Sequence, residues 1–370
     1  MTATSPRSRR TGLLAVSVAA SLGLFSVACS SSKKTSTGSG STSGTTATTV
    51  ANLPAATING SGSTFQKAFD DDAIQQFTHA HPGVNITYAG GGSGKGLTDL
   101  ASKLVDFAGT DAPITAANIE KYGGPSAILY FPTVGAPITL SYNLPGVSKL
   151  TLSAPTIAKI FTGKITTWND PAIAADGNSG LPSTAITPVH RSDSSGTTHN
   201  FGTYLTKADP TDWTLGTATT VAWPGGVAGN GNTGVATAVK QTAGAIGYVD
   251  YSDAKASGLS FASVKNAAGT AVAPTLDGAS AAIASATINP DLTYDPTNAQ
   301  GPNAYPITSP TWIVIYKTQT DHNKGTVLKG FLGYLLSTGQ TSLAKNDDFA
   351  PLSPDLLQKA KAQLDQIVIP

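Results

Sequence analysis

Apolar residues recur at helical spacing in two stretches near the start of the folded chain. Phe65, Phe69, Ala73 and Phe77 fall four apart, which predicts a helix with one side against a core, ended by His81-Pro82-Gly83. A strand from Val84 to Ala89 follows, then the turn Gly90-Gly91-Gly92-Ser93-Gly94-Lys95-Gly96, then a helix carrying Leu97, Leu100 and Leu104 on one face. Strand, glycine-rich turn and helix therefore occur twice in succession. Far downstream, Thr326 to Leu336, with Phe331 and Leu335 four apart, predicts a packing helix without chemistry. Apolar runs alternate with helical patterns, and 39 Gly with 23 Pro imply many short connections, which together point to an α/β fold.

The N-terminus has a different pattern. Arg7, Arg9 and Arg10 precede an apolar run from Leu13 to Val27 that ends in small residues at Cys29. Residues 1–29 read as a secretory signal, since the run is too short for a comfortable membrane span. Cys29 is the one cysteine of the chain, so it forms no internal disulfide. Ser26-Val27-Ala28-Cys29 is similar to a bacterial lipobox, with Ser26 in place of the usual leucine, and predicts a lipid on Cys29 that anchors the exported protein to the outer face of the cell membrane. Ser8-Arg9-Arg10 is similar to a twin-arginine signal, but Gly12 stands where that signal prefers a bulky residue, so the export route stays open. Residues 30–50 are nearly all Ser, Thr and Gly with a Lys33-Lys34 pair, a composition with too little apolar surface to fold. Such a flexible tether of about 20 residues spans on the order of 25 Å.

The 370-residue chain thus leaves about 320 residues for the fold, long for one core and suited to two lobes. A net charge of +1 with 12% charged residues excludes the concentrated basic surface of a nucleic-acid binder. Any anion site must be local.

One such site is written in Arg191-Ser192-Asp193-Ser194-Ser195-Gly196-Thr197. Arg191 offers a planar fork of donors matched to an oxyanion, Asp193 can hold it, and Ser195 and Thr197 can donate both hydroxyl and backbone N–H groups. Gly196 lets the backbone come close. A helix from Thr197 through Phe201 and Tyr204 would add its N-terminal N–H groups. The turns at Gly60-Ser61-Gly62-Ser63-Thr64-Phe65 and Gly90 to Gly96 offer bare N–H groups in the same way. A Walker sequence does not fit the second turn, because Ala89 and Gly96 stand where it needs Gly and Ser or Thr, and the dinucleotide fingerprint fails there as well. Phe107-Ala108-Gly109-Thr110-Asp111-Ala112-Pro113 reads as a strand end that delivers Asp111 to the place where open α/β sheets bind ligands. A carboxylate suits an oxyanion that still carries a proton, as phosphate does near neutral pH and sulfate does not. The competing reading makes Asp111 the N-cap of a helix from Thr115.

These motifs resemble the phosphate-binding lipoproteins of bacterial high-affinity phosphate ABC transporters. Gly62-Ser63-Thr64-Phe65, Gly92-Ser93-Gly94, Thr110-Asp111-Ala112-Pro113 and Arg191 to Thr197 stand in that family's order. Phe131-Pro132-Thr133, Ile160-Phe161-Thr162-Gly163-Lys164-Ile165 with Trp168-Asn169, Gly244 to Val249 and Tyr305-Pro306-Ile307-Thr308 also resemble family segments. The resemblance implies a type II periplasmic-binding-protein fold, with residues 51–133 and 305–370 in lobe I, residues 134–304 in lobe II, a hinge crossed twice, and the ligand cleft between. It implies inorganic phosphate as ligand and the permease subunits of an importer as partner. No cofactor, metal or enzymatic activity is implied, and the protein is expected to be a monomer.

For the pocket, the resemblance implies backbone N–H donors at Thr64 and Phe65, hydroxyls at Thr64 and Ser93, Asp111 as acceptor of the ligand's proton, and Arg191 oriented by Asp193. Ser195, Gly196 and Thr197 complete the donors. Lys95 departs from the family's small residue there and is read as pointing into water. Two other readings stand beside this one. Another oxyanion, such as sulfate, molybdate or a phosphonate, could fill the site. A secreted phosphatase would need a nucleophile, and Ser195 lies near His190 and His199 in sequence without a Gly-x-Ser-x-Gly elbow; His79-Ala80-His81 is the one close histidine pair.

Overall fold

A computed structural model describes residues 53–370. The signal of residues 1–29, Cys29 and the tether of residues 30–50 lie outside the described residues. No helix of the described residues is long and apolar enough to cross a membrane.

The predicted double repeat is present. β1 (Ala56–Gly62) leads into α1 (Lys67–Ala80), β2 (Val84–Gly90) into α2 (Ser93–Ala101), and β3 (Phe107–Thr110) follows. β1 lies between β2 and β3, parallel to both. The α1 face with Phe69, Ala73 and Phe77 is buried, as the four-residue spacing requires, and Phe65 is buried just ahead of it. The second helix is shorter than its pattern predicts. It stops at Ala101, and Lys103 then takes a left-handed φ of 56° that turns the chain. Leu104 therefore falls outside the helix and is 72% exposed, whereas Leu100 is buried. The helix from Thr115 is also absent: a short 3-10 turn at Ile119–Tyr122 is the first helical structure after Asp111, so Asp111 caps nothing there.

β4 (Ile128–Tyr142) carries 15 residues, all buried, and belongs to both halves of the molecule. Beyond it come β5 (Thr151–Leu152), α3 (Ala154–Phe161), α4 (Pro171–Ala175), β6 (Thr187–Arg191), α5 (Gly196–Ala208), β7 (Val227–Gly229), α6 (Gly231–Gln241), β8 (Ala245–Asp250) and α7 (Tyr251–Ala256). Short strands β9 (Ser260–Phe261), β10 (Ser263–Lys265) and β11 (Ala271–Val272) precede α8 (Leu276–Ser285). The chain then returns through β12 (Thr308–Tyr316) to α9 (His322–Leu335), α10 (Ala344–Asn346) and α11 (Pro354–Gln363). Phe331 and Leu335 of α9 are buried, as expected of a packing helix.

The main sheet runs β2-β1-β3-β12-β4-β8-β6-β7, and β5, β10 and β11 form a small separate sheet. The N-terminal part of β4 pairs antiparallel with β12, and its C-terminal part, from Ile138 to Tyr142, pairs antiparallel with β8. Pro137 is the last β4 residue paired with β12 before the change of partner at Ile138, and β12 has an irregularity between Pro310 and Trp312, which pair with Gly135 and Pro132. A proline cannot donate to a ladder, so such positions suit the end of one pairing and the start of another. The chain crosses between halves twice, once along β4 and once on entering β12, where Ile138 N–H donates to Ile307 O at 2.7 Å. Two α/β halves joined by two crossings are what the resemblance implied.

Candidate functional site

The candidate residues all sit at the carboxyl ends of parallel strands. Ser63 to Phe65 follow β1, Ser93 follows β2 and Asp111 follows β3. From the other half, Arg191 is the last residue of β6, and α6 begins two residues after β7. Side chains and bare helix N-termini gather at such ends because the strands stop there and the chain turns back into helices.

Arg191 is buried, with its side chain 1% exposed. Its Nε donates to Asp193 Oδ1 at 2.7 Å, Nη2 pairs with Asp193 Oδ2, and Nη1 donates to Thr197 Oγ1 at 3.2 Å. Its backbone N–H donates to Tyr248 Oη at 3.0 Å. Burial alone would push the Asp193 carboxyl up, but the hydrogen bonds and charge of Arg191, with the Gly231 N–H at 3.1 Å, hold it below its ordinary value. Both guanidinium and carboxylate are thus charged and fixed in plane.

α5 starts at Gly196, one residue ahead of the prediction. Ser195 is its N-cap, accepting the Thr198 N–H at 3.1 Å. The N–H groups of Gly196 and Thr197 find no acceptor among the described residues, as the first turn of a helix leaves them. His190 Nδ1 lies 3.1 Å from Arg191 O and His199 Nδ1 2.5 Å from Thr217 O, so neither imidazole bonds Ser195.

Asp111 faces this turn from the first half. It is buried, Ser63 Oγ donates to its Oδ1, and Ser93 Oγ lies 3.5 Å from its Oδ2. Burial raises its pKa to about 7, against the lowering effects of Ser63, Arg191 and Ser93. The halves meet closely here. A Cβ on Gly196 would lie 2.5 Å from Ser93 Oγ and 2.7 Å from Asp111 Oδ2, so only glycine fits. Gly94 N–H donates to Ser194 O at 3.0 Å, and Asn200 Nδ2 donates to Asp111 O at 2.8 Å, both across the same gap.

Three expectations change. The Ser195 N–H, expected as a donor to the anion, donates to Thr219 O at 2.8 Å, which leaves Ser195 its hydroxyl. The Phe65 N–H, expected as a ligand donor, is engaged by Ser63 Oγ at 3.0 Å, because Ser63 forms the turn between β1 and α1. Lys95 is exposed but pairs with Asp99 one helical turn on at 2.6 Å instead of standing free in water. Four residues were not singled out from sequence: Ser63, Asn200, Asn232 and Tyr248. Tyr248 Oη accepts the Arg191 N–H and sits 2.7 Å from Thr198 Oγ1, tying the end of β6 to the start of α5. Asn232, buried at the start of α6, donates from both N and Nδ2 to Thr64 Oγ1 at 3.2 Å. A separate cavity of about 590 Å³ beside Ile114, Ile128 and Tyr130 contains none of these groups. Among the described residues, no cluster of His, Cys, Asp and Glu could hold a metal ion.

The chain matches the PBP superfamily domain over residues 35–338. It is 35% identical over 365 residues to the phosphate-binding protein PstS 3 of Mycobacterium tuberculosis, covering 95% of this chain and 98% of the relative. It is 36% identical over 291 residues to the phosphate-binding protein PstS of Xylella fastidiosa, covering 77% and 78%. Among solved structures, the high affinity periplasmic phosphate-binding protein PfluDING, bound with phosphate, superposes with a TM-score of 0.68 over 83% of this chain and 94% of that one, at 24% identity, a likeness of fold. With a superfamily match over most of its length and relatives of this identity and coverage, the chain belongs to the PBP superfamily and, within it, to the family of the phosphate-binding proteins PstS.

Proposed function

We propose that the protein is an extracytoplasmic solute-binding receptor that captures inorganic phosphate between its two halves and delivers it to the permease subunits of an ABC importer. The observation that carries this reading is the pairing of one fully charged, in-plane guanidinium at Arg191 with one buried acceptor at Asp111, across a gap that Gly196 keeps open to the backbone. Cation and N–H donors suit the ligand's unprotonated oxygens, and Asp111 suits its single proton. Thr64, Ser93, Ser195, Gly196 and Thr197 supply the remaining donors. Residues 51–133 and 305–370 act as one lobe and residues 134–304 as the other, closing about the two crossings. The protein binds without turnover, as a monomer.

The proposal is tested by calorimetric titration of protein lacking residues 1–50, stripped of anion, with phosphate and then sulfate at matched ionic strength. One-to-one phosphate binding with no sulfate response is expected. Comparable binding of both anions would return the site to another oxyanion, and binding of neither would remove the transport role.

The same reading places a lipid on Cys29, holding the receptor at the outer face of the membrane through the tether of residues 30–50. Mass spectrometry of the membrane fraction is expected to find mature protein beginning at a diacylated Cys29. A free thiol at that residue, or cleavage beyond it, would refute the anchor.

A further inference from the structure

Thr64 and Thr197 belong to different halves and lie far apart in sequence, yet one amide ties them together. Asn232 Nδ2 donates to Thr64 Oγ1 at 3.2 Å and to Thr197 Oγ1 at 3.3 Å, which uses both of its protons. Its Oδ1 accepts the Asp250 N–H at 3.4 Å. That third contact sets the amide's orientation, because a flipped amide would bring two donors together at Asp250.

Each threonine oxygen receives a second donor. Thr64 Oγ1 also accepts the Asn232 backbone N–H at 3.2 Å, and Thr197 Oγ1 also accepts Arg191 Nη1 at 3.2 Å. A hydroxyl has two acceptor lone pairs and one proton to give. With both lone pairs taken on each, the two hydroxyls have donation as their remaining capacity, and neither donates to a group among the described residues.

We propose that Asn232 is a positioning and specificity-determining residue that fixes the hydroxyls of Thr64 and Thr197 as obligate donors to the bound anion. This rests on the phosphate-receptor reading. Asn232 would touch no ligand atom and would act through the two threonines. The site then reads the ligand's proton pattern at three places: two hydroxyls locked as donors require unprotonated oxygens, and Asp111 alone accepts a proton. Because Thr64 comes from one half and Asn232 from the other, this polarity is set when the halves are together, as they are here.

The test is a double-mutant cycle read by calorimetric phosphate titration of the full folded domain, with thermal melts confirming that each variant is folded. Asn232→Ala is expected to weaken phosphate binding roughly 10-fold in the wild-type background, in line with the loss of one or two hydrogen bonds to the ligand. In a Thr64→Val/Thr197→Val background the same substitution is expected to change affinity less than about 3-fold, because the groups it works through are gone. Equal losses in both backgrounds would reduce Asn232 to a packing residue and overturn the inference. If Asn232→Ala does not fold, Asn232→Ser, which keeps the backbone donor and a small polar side chain but loses the two-proton amide, is carried through the same cycle with the same expected coupling. Failure of the wild-type protein to bind phosphate would instead overturn the receptor reading itself, so the two failures are distinguishable.

Discussion

Arg191→Ala weakens phosphate binding by at least roughly 100-fold in calorimetric titration. The guanidinium is the full positive charge at the site, and charge-assisted bonds contribute roughly 1.5–3 kcal/mol each. Removing it has a second cost. Asp193, held charged by Arg191, loses its partner while still half-buried, and breaking a buried pair by deleting one member costs about 3–5 kcal/mol. Asp111 also loses a cation that lowers its pKa, which favours its protonated form and removes it as an acceptor. The variant is therefore expected to melt at lower temperature as well as to bind poorly. Phosphate affinity within about 5-fold of the wild type would show that the clamp is not centred on Arg191.

Asp111→Asn changes selectivity more than affinity for oxyanions in general. The carboxylate penalises sulfate, which brings no proton, and accepts the P–OH of phosphate; an amide removes the penalty and weakens the acceptor. The preference for phosphate over sulfate is expected to fall roughly 10- to 100-fold, the size of one charged hydrogen bond. Equal effects on both anions would remove the proton-acceptor role. The same substitution is visible without ligand. The Asp111 pKa is raised by burial from 3.8 to about 7, so folding favours the protonated form. The resulting penalty is complete above pH 7, relieved as pH falls through 7, and gone below about 4. Between pH 8 and pH 5 the ligand-free wild type should gain about 2–3 kcal/mol relative to Asp111→Asn in denaturant unfolding, at 1.36 kcal/mol per pKa unit. A pH-independent difference would show that the buried carboxyl does not titrate there.

The parts of the site legible in the sequence were those whose chemistry is local. Arg191 and Asp193 are two residues apart, and Ser195 with Gly196 and Thr197 announces a helix start, so one short segment carries most of the clamp. The double strand, turn and helix pattern was legible for the same reason. Leu104 fitted the α2 stripe by spacing alone, but the left-handed turn at Lys103 takes it out of register, and nothing in Ser102-Lys103 signals that turn. Asn232 and Tyr248 were illegible because their partners lie 168 and 57 residues away. Asn230-Gly231-Asn232 reads locally as an ordinary turn, and only the sheet order that brings β7 beside β6 gives it a role. The Phe65 N–H was misread because Ser63, a member of the same turn, competes for it.

The position of β12 has a consequence for how the molecule comes into being. It is the last strand of the chain, yet it lies in the middle of the sheet, between β3 and β4. Until residue 308 has been made, β3 and the N-terminal part of β4 each lack the same neighbour, and every pair of ladder bonds at Trp312 must close loops of some 180 to 200 residues. A growing or truncated chain therefore holds two open strand edges, that of β4 rich in Ile, Leu and aromatic residues, the kind that pair with other chains. Pairings of such high sequence separation are closed late in folding, so the middle of the sheet is completed by the last strand to be made.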